Sequence, residues 1–266
     1  MAIATRIVPP ALVGPRSLRM IERNVMVYRR TWLILLSGFF EPLFYLLGIG
    51  FGLGALIGDV PGLNGQPIPY AVFVAPALLA TSAMNGAIYE STFNTFFKLR
   101  YARTYDAILS TPMGIGDVAA GEIGWALIRG GLYAVGFLVV VLLLGLALSP
   151  LVVLSVPAAL LIGFAFAAVG MAATTWVRSW QDFDVITLVT LPLFLFSGTF
   201  YPLTVYPEPL RTIVQVTPLY QGVAILRQLS TGAVDASFVL HVAYLALMGA
   251  LGLVIVARRL DRLLMK

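Results

Sequence analysis

Residues 195–210 read LFSGTFYPLTVYPEPL. An apolar run with the look of a membrane span breaks up at Ser197, Gly198 and Thr199. It then meets Pro202, Pro207 and Pro209, with Glu208 as its one charge. Proline removes a backbone donor and interrupts a regular helix. Beyond the break, residues 208–230 are again mostly apolar, and how they are used decides how often the chain crosses a membrane. Two short helices fit, Pro209 to Val216 and Leu219 to Leu229, separated by Thr217-Pro218. Neither is long enough to span a hydrocarbon core of about 30 Å. They are expected to dip into the outer leaflet and return, buried against protein where the broken backbone finds partners.

Composition supports a membrane setting for that argument. The 266 residues are 60% hydrophobic and 11% charged, whereas soluble domains are about a quarter charged. So much apolar surface does not fit into one water-soluble core. Cysteine is absent, which excludes disulfides and thiolate metal sites, and a single histidine, His241, argues against a histidine-based metal or triad site.

Charge-free runs mark the spans. Thr31 to Ile57 contains only Glu41, and Val60 to Tyr89 is uncharged, with a polar turn at Asn64-Gly65-Gln66-Pro67. The run from Gly130 to Val177 is too long for one span and divides at Ser149-Pro150. Val185 to Pro207 and Ala236 to Ala257 follow. Helices are the simplest way to satisfy a backbone in lipid. The expectation is an all-α polytopic membrane protein, a single domain over 1–266. It has an interfacial helix at 14–30 and six transmembrane helices at 31–57, 70–92, 116–147, 151–177, 184–200 and 237–258. A cytoplasmic loop and helix occupy 98–112, and re-entrant helices occupy 201–230.

All but three of the 17 Lys and Arg residues fall on one side of this layout: the N-terminal segment from Arg6 to Arg30, the loop with Lys98, Arg100 and Arg103, Arg178, and the C-terminus from Arg258 to Lys266. Arg211 and Arg227 fall on the other side, and Arg129 lies in helix 3. Positive charge marks the cytoplasmic face, so both termini are expected there in a multi-pass protein. The basic leader is long and no small-residue cleavage site follows the first span, so no cleaved signal peptide is expected. Within the leader, Leu18, Ile21, Val25 and Tyr28 recur at helical spacing, with Arg16, Arg19, Arg23 and Arg30 opposite. Such a helix lies on the inner membrane surface against anionic headgroups.

No phosphate-binding G-x-x-x-x-G-K-[ST] occurs, no catalytic cluster is evident, and no metal site is expected. Gly48/Gly52 and Gly50/Gly54 have the spacing of close helix packing, as do Gly163, Ala167 and Gly170. Glu41, Glu122 and Arg129 stand out as ionisable groups within spans. Glu122 and Arg129 are about 10 Å apart along one helix, too far for an easy direct pair, so partners on other helices or an intervening water are expected. Whether these groups hold helices together or line a path stays open.

After the second span, KLRYARTYDAILSTPM places Tyr105, Ile108 and Leu109 on one face of a short helix ending at Thr111-Pro112. TYDAILSTPM followed by GE-x-x-W-x-x-x-R resembles the permease subunits of type-2 ABC exporters, in the branch of the nodulation lipo-oligosaccharide and daunorubicin-type drug exporters. EPLFYLLGIGFGLG, FVAPALLATSAMNGAIYEST and FLFSGTFYPL agree with that family in kind and order, so the resemblance covers nearly the whole chain. It implies a coupling helix for a separate ATPase at Tyr105, Asp106, Ala107, Ile108, Leu109, Ser110, Thr111 and Pro112, and an interfacial helix carrying Arg16, Arg19, Arg23 and Tyr28. It also implies an outer gate around Phe196, Ser197, Gly198, Phe200, Pro202, Pro218 and Leu219.

The chain itself would bind no cofactor, with ATP and Mg on two ATPase subunits. It would pair with a second permease chain, a homodimer being favoured, in the bacterial inner membrane, contacting lipid and no nucleic acid. The cargo would be amphipathic or lipid-like: a drug, glycolipid or lipo-oligosaccharide. An intramembrane lipid-modifying enzyme and a non-transporting scaffold or channel are the alternatives from other classes.

Overall fold

Proline, serine and glycine punctuate the apolar runs and set where each helix starts and stops. The structure, a computed structural model, describes residues 15–29, 32–63 and 65–264, with the backbone alone for 15, 32–37 and 264. The expectations placed on Arg6, Arg30, Thr31, Asn64 and Lys266 lie outside the described residues.

The leader forms α1, Pro15–Arg29. Helix α2 covers 32–57 and widens into a π-helical stretch at Leu46–Leu53. A small antiparallel hairpin follows, β1 (Asp59–Pro61) with β2 (Pro67–Pro69), in which Val60 faces Ile68. Helix α3 runs unbroken over Tyr70–Tyr101, with π-helical turns at Glu90–Asn94 and Phe97–Tyr101. Its 32 residues amount to about 48 Å at 1.5 Å each, well beyond a core of about 30 Å. The expected boundary at 92 is therefore corrected: Lys98 and Arg100 belong to the helix and not to a loop. Helix α4, Thr104–Leu109, is the short helix expected in the basic loop.

Helix α5, Ile115–Leu143, ends earlier than the expected 147. Gly145 sits at φ 67°, where glycine is favoured. The Gly145 amide donates to the Leu142 carbonyl and that of Leu146 to Val141, at 3.1 and 3.0 Å, the double closure of a Schellman end. Helix α6, Pro150–Thr174, starts as its sequence dictates: the Ser149 hydroxyl accepts from the Leu151 amide at 3.2 Å, and Pro150 occupies the first position. Helix α7 is Phe183–Leu195, α8 is Glu208–Val216, α9 is Pro218–Thr231 and α10 is Ser237–Leu264.

Among the described residues, five helical stretches are long and apolar enough to cross a membrane: Gly38–Ile57, Tyr70–Tyr101, Ile115–Leu143, Pro150–Thr174 and Ser237–Leu263. The helix expected over 184–200 is shorter. It stops at Leu195, and its 13 residues cover about 20 Å. Gly198, at φ 71°, turns the chain there, so α7 alone is too short to span.

Helix α6 is the hub and packs on α10, α3, α5 and α9. Its buried stripe of Ala158, Ala159, Ile162, Ala165 and Ala168 lets neighbours approach closely. Opposite it, a Cβ at Gly252 of α10 would lie 2.8 Å from the backbone of Ala168. Gly252→Ala is accordingly expected to lower the melting temperature despite the better helix propensity of Ala, by about 1–3 kcal/mol of overpacking. Gly130→Ala, which would meet nothing within 4 Å, is the control in the same thermal unfolding assay. Within α2, Gly50 and Gly54 face Ala71 and Tyr70 of α3, whereas a Cβ at Gly48 would meet nothing within 4 Å. The expected Gly48/Gly52 packing is thus not made inside this chain.

Candidate functional site

Two clusters of polar side chains are buried in this apolar protein, one toward each end of α3. The first begins with Glu122 of α5, whose side chain is only 4% exposed. Lys98 Nζ of α3 lies 2.6 Å from its Oε2. The Tyr105 hydroxyl of α4 donates to Oε1 at 3.2 Å, and Asn24 Nδ2 of α1 to Oε2 at 3.3 Å. One carboxylate thus ties four elements together. One face of the same helices carries the second pair, Glu90 of α3 with Arg129 Nη1 at 2.6 Å. Asn94 Nδ2 donates to Glu90 at 2.8 Å, Arg129 Nε donates to the Tyr133 hydroxyl at 2.8 Å, and the Tyr28 hydroxyl reaches Glu90 at 3.5 Å. The Arg129 guanidinium also lies 5.6 Å from the Tyr28 ring centre.

Burial, then the neighbouring Glu90, pushes the Tyr28 phenol up to about 12. Burial, then Glu122, raises Tyr105. Both are neutral donors near pH 7 and can supply hydrogen bonds to carboxylates without adding charge. The separation of Glu122 and Arg129 is resolved by partners on other helices, Lys98 and Glu90. Neither partner stands out in the charge-free runs, because Glu90 lies one residue past the end of a run and Lys98 falls in the expected loop. Glu41 is exposed and accepts a hydrogen bond from Asn85 Nδ2 at 3.1 Å.

The loop helix α4 turns its apolar face inward. Tyr105 is 1% exposed and packs with Met20 of α1 and Val118 of α5, joined by Ile108 and Leu109. Asp106, Ala107, Ser110, Thr111 and Pro112 face out. The shared face of Tyr105, Ile108 and Leu109 is therefore planted on the protein itself, since an apolar face is most stable where it leaves water. In α1, Ser17, Met20 and Asn24 are buried against α5, while Leu18 and Val25 are about half exposed. Arg16 and Arg19 are exposed and Arg23 is partly buried; Arg19 pairs with Glu22 at 2.9 Å. The stripe read from sequence is thus shared, with Ile21 and Tyr28 turned toward the protein and Leu18 and Val25 away from it.

The second cluster holds the broken segment after α7. Arg227 of α9, 8% exposed, donates from Nη2 to the carbonyls of Gly198 and Thr199 at 2.6 and 3.2 Å, and from Nε to that of Phe73 at 3.2 Å. Its guanidinium lies 3.7 Å from the Phe73 ring centre. The Ser197 and Thr199 hydroxyls bond each other at 2.7 Å, and Tyr70 donates to the Phe200 carbonyl at 3.1 Å. Phe196 is exposed, Phe200, Pro202 and Pro218 are partly buried, and Leu219 is fully buried. Above Arg227 lies a cavity of about 320 Å³, walled by the β1–β2 hairpin, residues 202–204, α9 and α10.

Helix α9 is a core element packed among α3, α6 and α10, not a segment lying loosely at the surface. Of the two short helices only α8 is largely exposed. Charge counting alone assigns Arg227 to an outward loop, whereas the structure buries it in α9. Its one sequence signal is that it is the sole charge in an otherwise neutral helix. Among the described residues, no group of three His, Asp or Glu side chains could hold a metal ion.

Over residues 17–230 the chain matches the model of the family described as ABC-2 type transporter. It is 31% identical over 226 residues to Nodulation protein J of Rhizobium meliloti (strain 1021), covering 84% of each chain. It is 32% identical over 228 residues to Nodulation protein J of Rhizobium leguminosarum bv. trifolii, covering 85% of each. Against the inner membrane transport permease YadH of Escherichia coli (strain K12) it is 28% identical over 180 residues, covering 66% of each.

Proposed function

The chain belongs to the ABC-2 type transporter family, and from that membership we propose that it is the permease of an ATP-driven exporter of amphipathic or lipid-like molecules. Members of this family are transmembrane subunits, and ATP is handled on a separate chain. In this reading two copies pair in the bacterial inner membrane with two ATPase subunits that carry ATP and Mg. Both termini are cytoplasmic. A sixth crossing is made by α7 together with residues 196–200, and α8 and α9 form the outer closure. The unopposed glycines Gly48 and Gly52 on α2 support a second copy packing there. Exposed Glu41, bonded to Asn85, lines the path between protomers, whereas the fully bonded Glu122 and Arg129 hold helices together.

The observation that carries the proposal is the meeting of α1, α3, α4 and α5 on Glu122. A push on α4 is thereby delivered to two spans and to the interfacial helix at once. A packed bundle responds to such a push by changing between discrete arrangements.

The contact with the ATPase then falls to the outward residues of α4. Asp106→Lys is expected to leave folded yield unchanged and to cut ATPase co-purification and drug or lipid efflux about tenfold or more, since a reversed charge at an interface costs several kcal/mol. Ile108→Asp is expected to lose yield as well, because that side chain packs inward. Pull-down and efflux by Asp106→Lys at wild-type levels would sink the coupling assignment. Flux that persists without the ATPase would favour a channel.

A further inference from the structure

Beside the first cluster, a cavity of about 410 Å³ opens between α1, α3, α4 and α5, within the roughly 300–1,000 Å³ of small-molecule sites. Three cations line it, Arg23, Lys98 and Arg129, and no carboxylate does. Glu90 and Glu122 neutralise two of the cations from behind, with side chains only 2% and 4% exposed. Arg23 has no such partner among the described residues; its Nη1 contacts only the Asn24 amide oxygen, at 3.2 Å. Lys98 uses one of its three donors on Glu122. The lining therefore offers spare charged donors to an anion. Its rim is apolar: Val27, Tyr89 and Phe97 are each 52% exposed. Cations above and apolar side chains beside them match a molecule with an anionic head and a hydrocarbon tail. A small soluble anion would make no use of that rim.

We propose that this cavity holds the phosphate of an anionic phospholipid of the inner leaflet, with its acyl chains against Val27, Tyr89 and Phe97. The proposal deepens the interfacial placement of α1 given above and rests on it. A lipid seated there bridges α1 to α3 and α5 at the level where the loop helix α4 is anchored. Arg23 supplies the charge that no carboxylate among the described residues compensates.

The test uses the permease–ATPase complex in nanodiscs of phosphatidylcholine doped with phosphatidylglycerol, with mass spectrometry counting the phosphatidylglycerol retained after extraction. Wild type is expected to retain it selectively. Arg23→Gln, which breaks no ion pair, should bind it about tenfold more weakly, as loss of one charge-assisted hydrogen bond implies, with an unchanged melting temperature. Arg19→Gln removes the same charge from the same helix outside the cavity and should retain phosphatidylglycerol as wild type does. Equal retention by Arg23→Gln, or an equal loss in Arg19→Gln, would overturn the site. Displacement of the lipid by inorganic phosphate would make it a soluble-anion site and overturn the lipid assignment. A depth probe on Val25→Cys separates the two levels of the argument. A probe in water in every lipid would remove the interfacial placement itself. A probe at the membrane surface without phosphatidylglycerol selectivity would remove the headgroup site alone.

Discussion

Arg129→Ala is expected to reduce the folded yield several-fold, while Arg211→Ala leaves it unchanged. Both arginines pair with a glutamate, but in opposite surroundings. The Arg129–Glu90 pair has side chains 13% and 2% exposed, against 36% and 79% for Arg211–Glu208. An exposed pair is worth at most about 1 kcal/mol. Removing one member of a buried pair costs about 3–5 kcal/mol, because the other is left charged without a partner. The Tyr133 hydroxyl and the Tyr28 ring lose a contact as well. Adding Glu90→Gln to Arg129→Ala should recover part of the loss, since the stranded charge goes with it. Monodisperse yield in detergent and the melting temperature read this directly. Equal, negligible losses for Arg129→Ala and Arg211→Ala would mean that Arg129 is solvated and the cluster is not structural.

Arg227→Ala should loosen the outer end of the protein. Three backbone carbonyls, of Phe73, Gly198 and Thr199, take hydrogen bonds from this one side chain. A hydrogen bond from a charged donor contributes about 1.5–3 kcal/mol. Without the guanidinium, the Gly198 and Thr199 carbonyls lose their tie to α9, and residues 201–206 are free to swing from it about Phe200, which Tyr70 still holds to α3. The absence of native cysteine makes a single Thr204→Cys a clean reporter, since Thr204 is exposed and borders the cavity over Arg227. A membrane-impermeant thiol reagent added outside should label it several-fold faster in the Arg227→Ala background. Arg227→Lys should rescue only in part, because an ammonium lacks the planar fork that reaches several acceptors at once. In the unmutated background the labelling rate should differ between the nucleotide-free complex and one held with ATP. Gln215→Cys on the exposed α8 should follow the same pattern. An unchanged rate in Arg227→Ala would show that the arginine is not the latch. Labelling only from the cytoplasm would overturn the proposed orientation.

The helical layout was legible because hydrocarbon thickness imposes a length and charge breaks a run. Ser149-Pro150 and Thr217-Pro218 marked helix starts for local steric reasons, and the structure has helices beginning there. Less could be read where the outcome depends on a neighbour. The pattern of Tyr105, Ile108 and Leu109 says that they share a face, but not whether that face meets a partner or the protein's own α1 and α5. Lys98 is missed as a partner because α3 is expected to end at 92, and Glu90 because it falls just past a charge-free run and so reads as the edge of a span. Nothing in ESTFN or FKLRY announces that the helix continues through π-helical turns. Arg227 was misjudged for a related reason: charge counting assigns a side of the membrane, whereas its carbonyl partners are distant in sequence.

Those π-helical turns have a mechanical consequence. A turn closed by i→i+5 bonds holds one more residue than one closed by i→i+4. Rewinding the Phe97–Tyr101 turn to α-helical form would rotate everything beyond it by about 100°, as a screw thread advances. Lys98 lies inside that turn and Glu90 inside the one before it, so the bonds of Glu122 and Glu90 act as pawls on the winding. Only Ala102 and Arg103 separate the end of α3 from α4. A displacement of α4 would therefore act on the thread through a link of two residues, and a linear push from the cytoplasmic side could enter α3 as rotation.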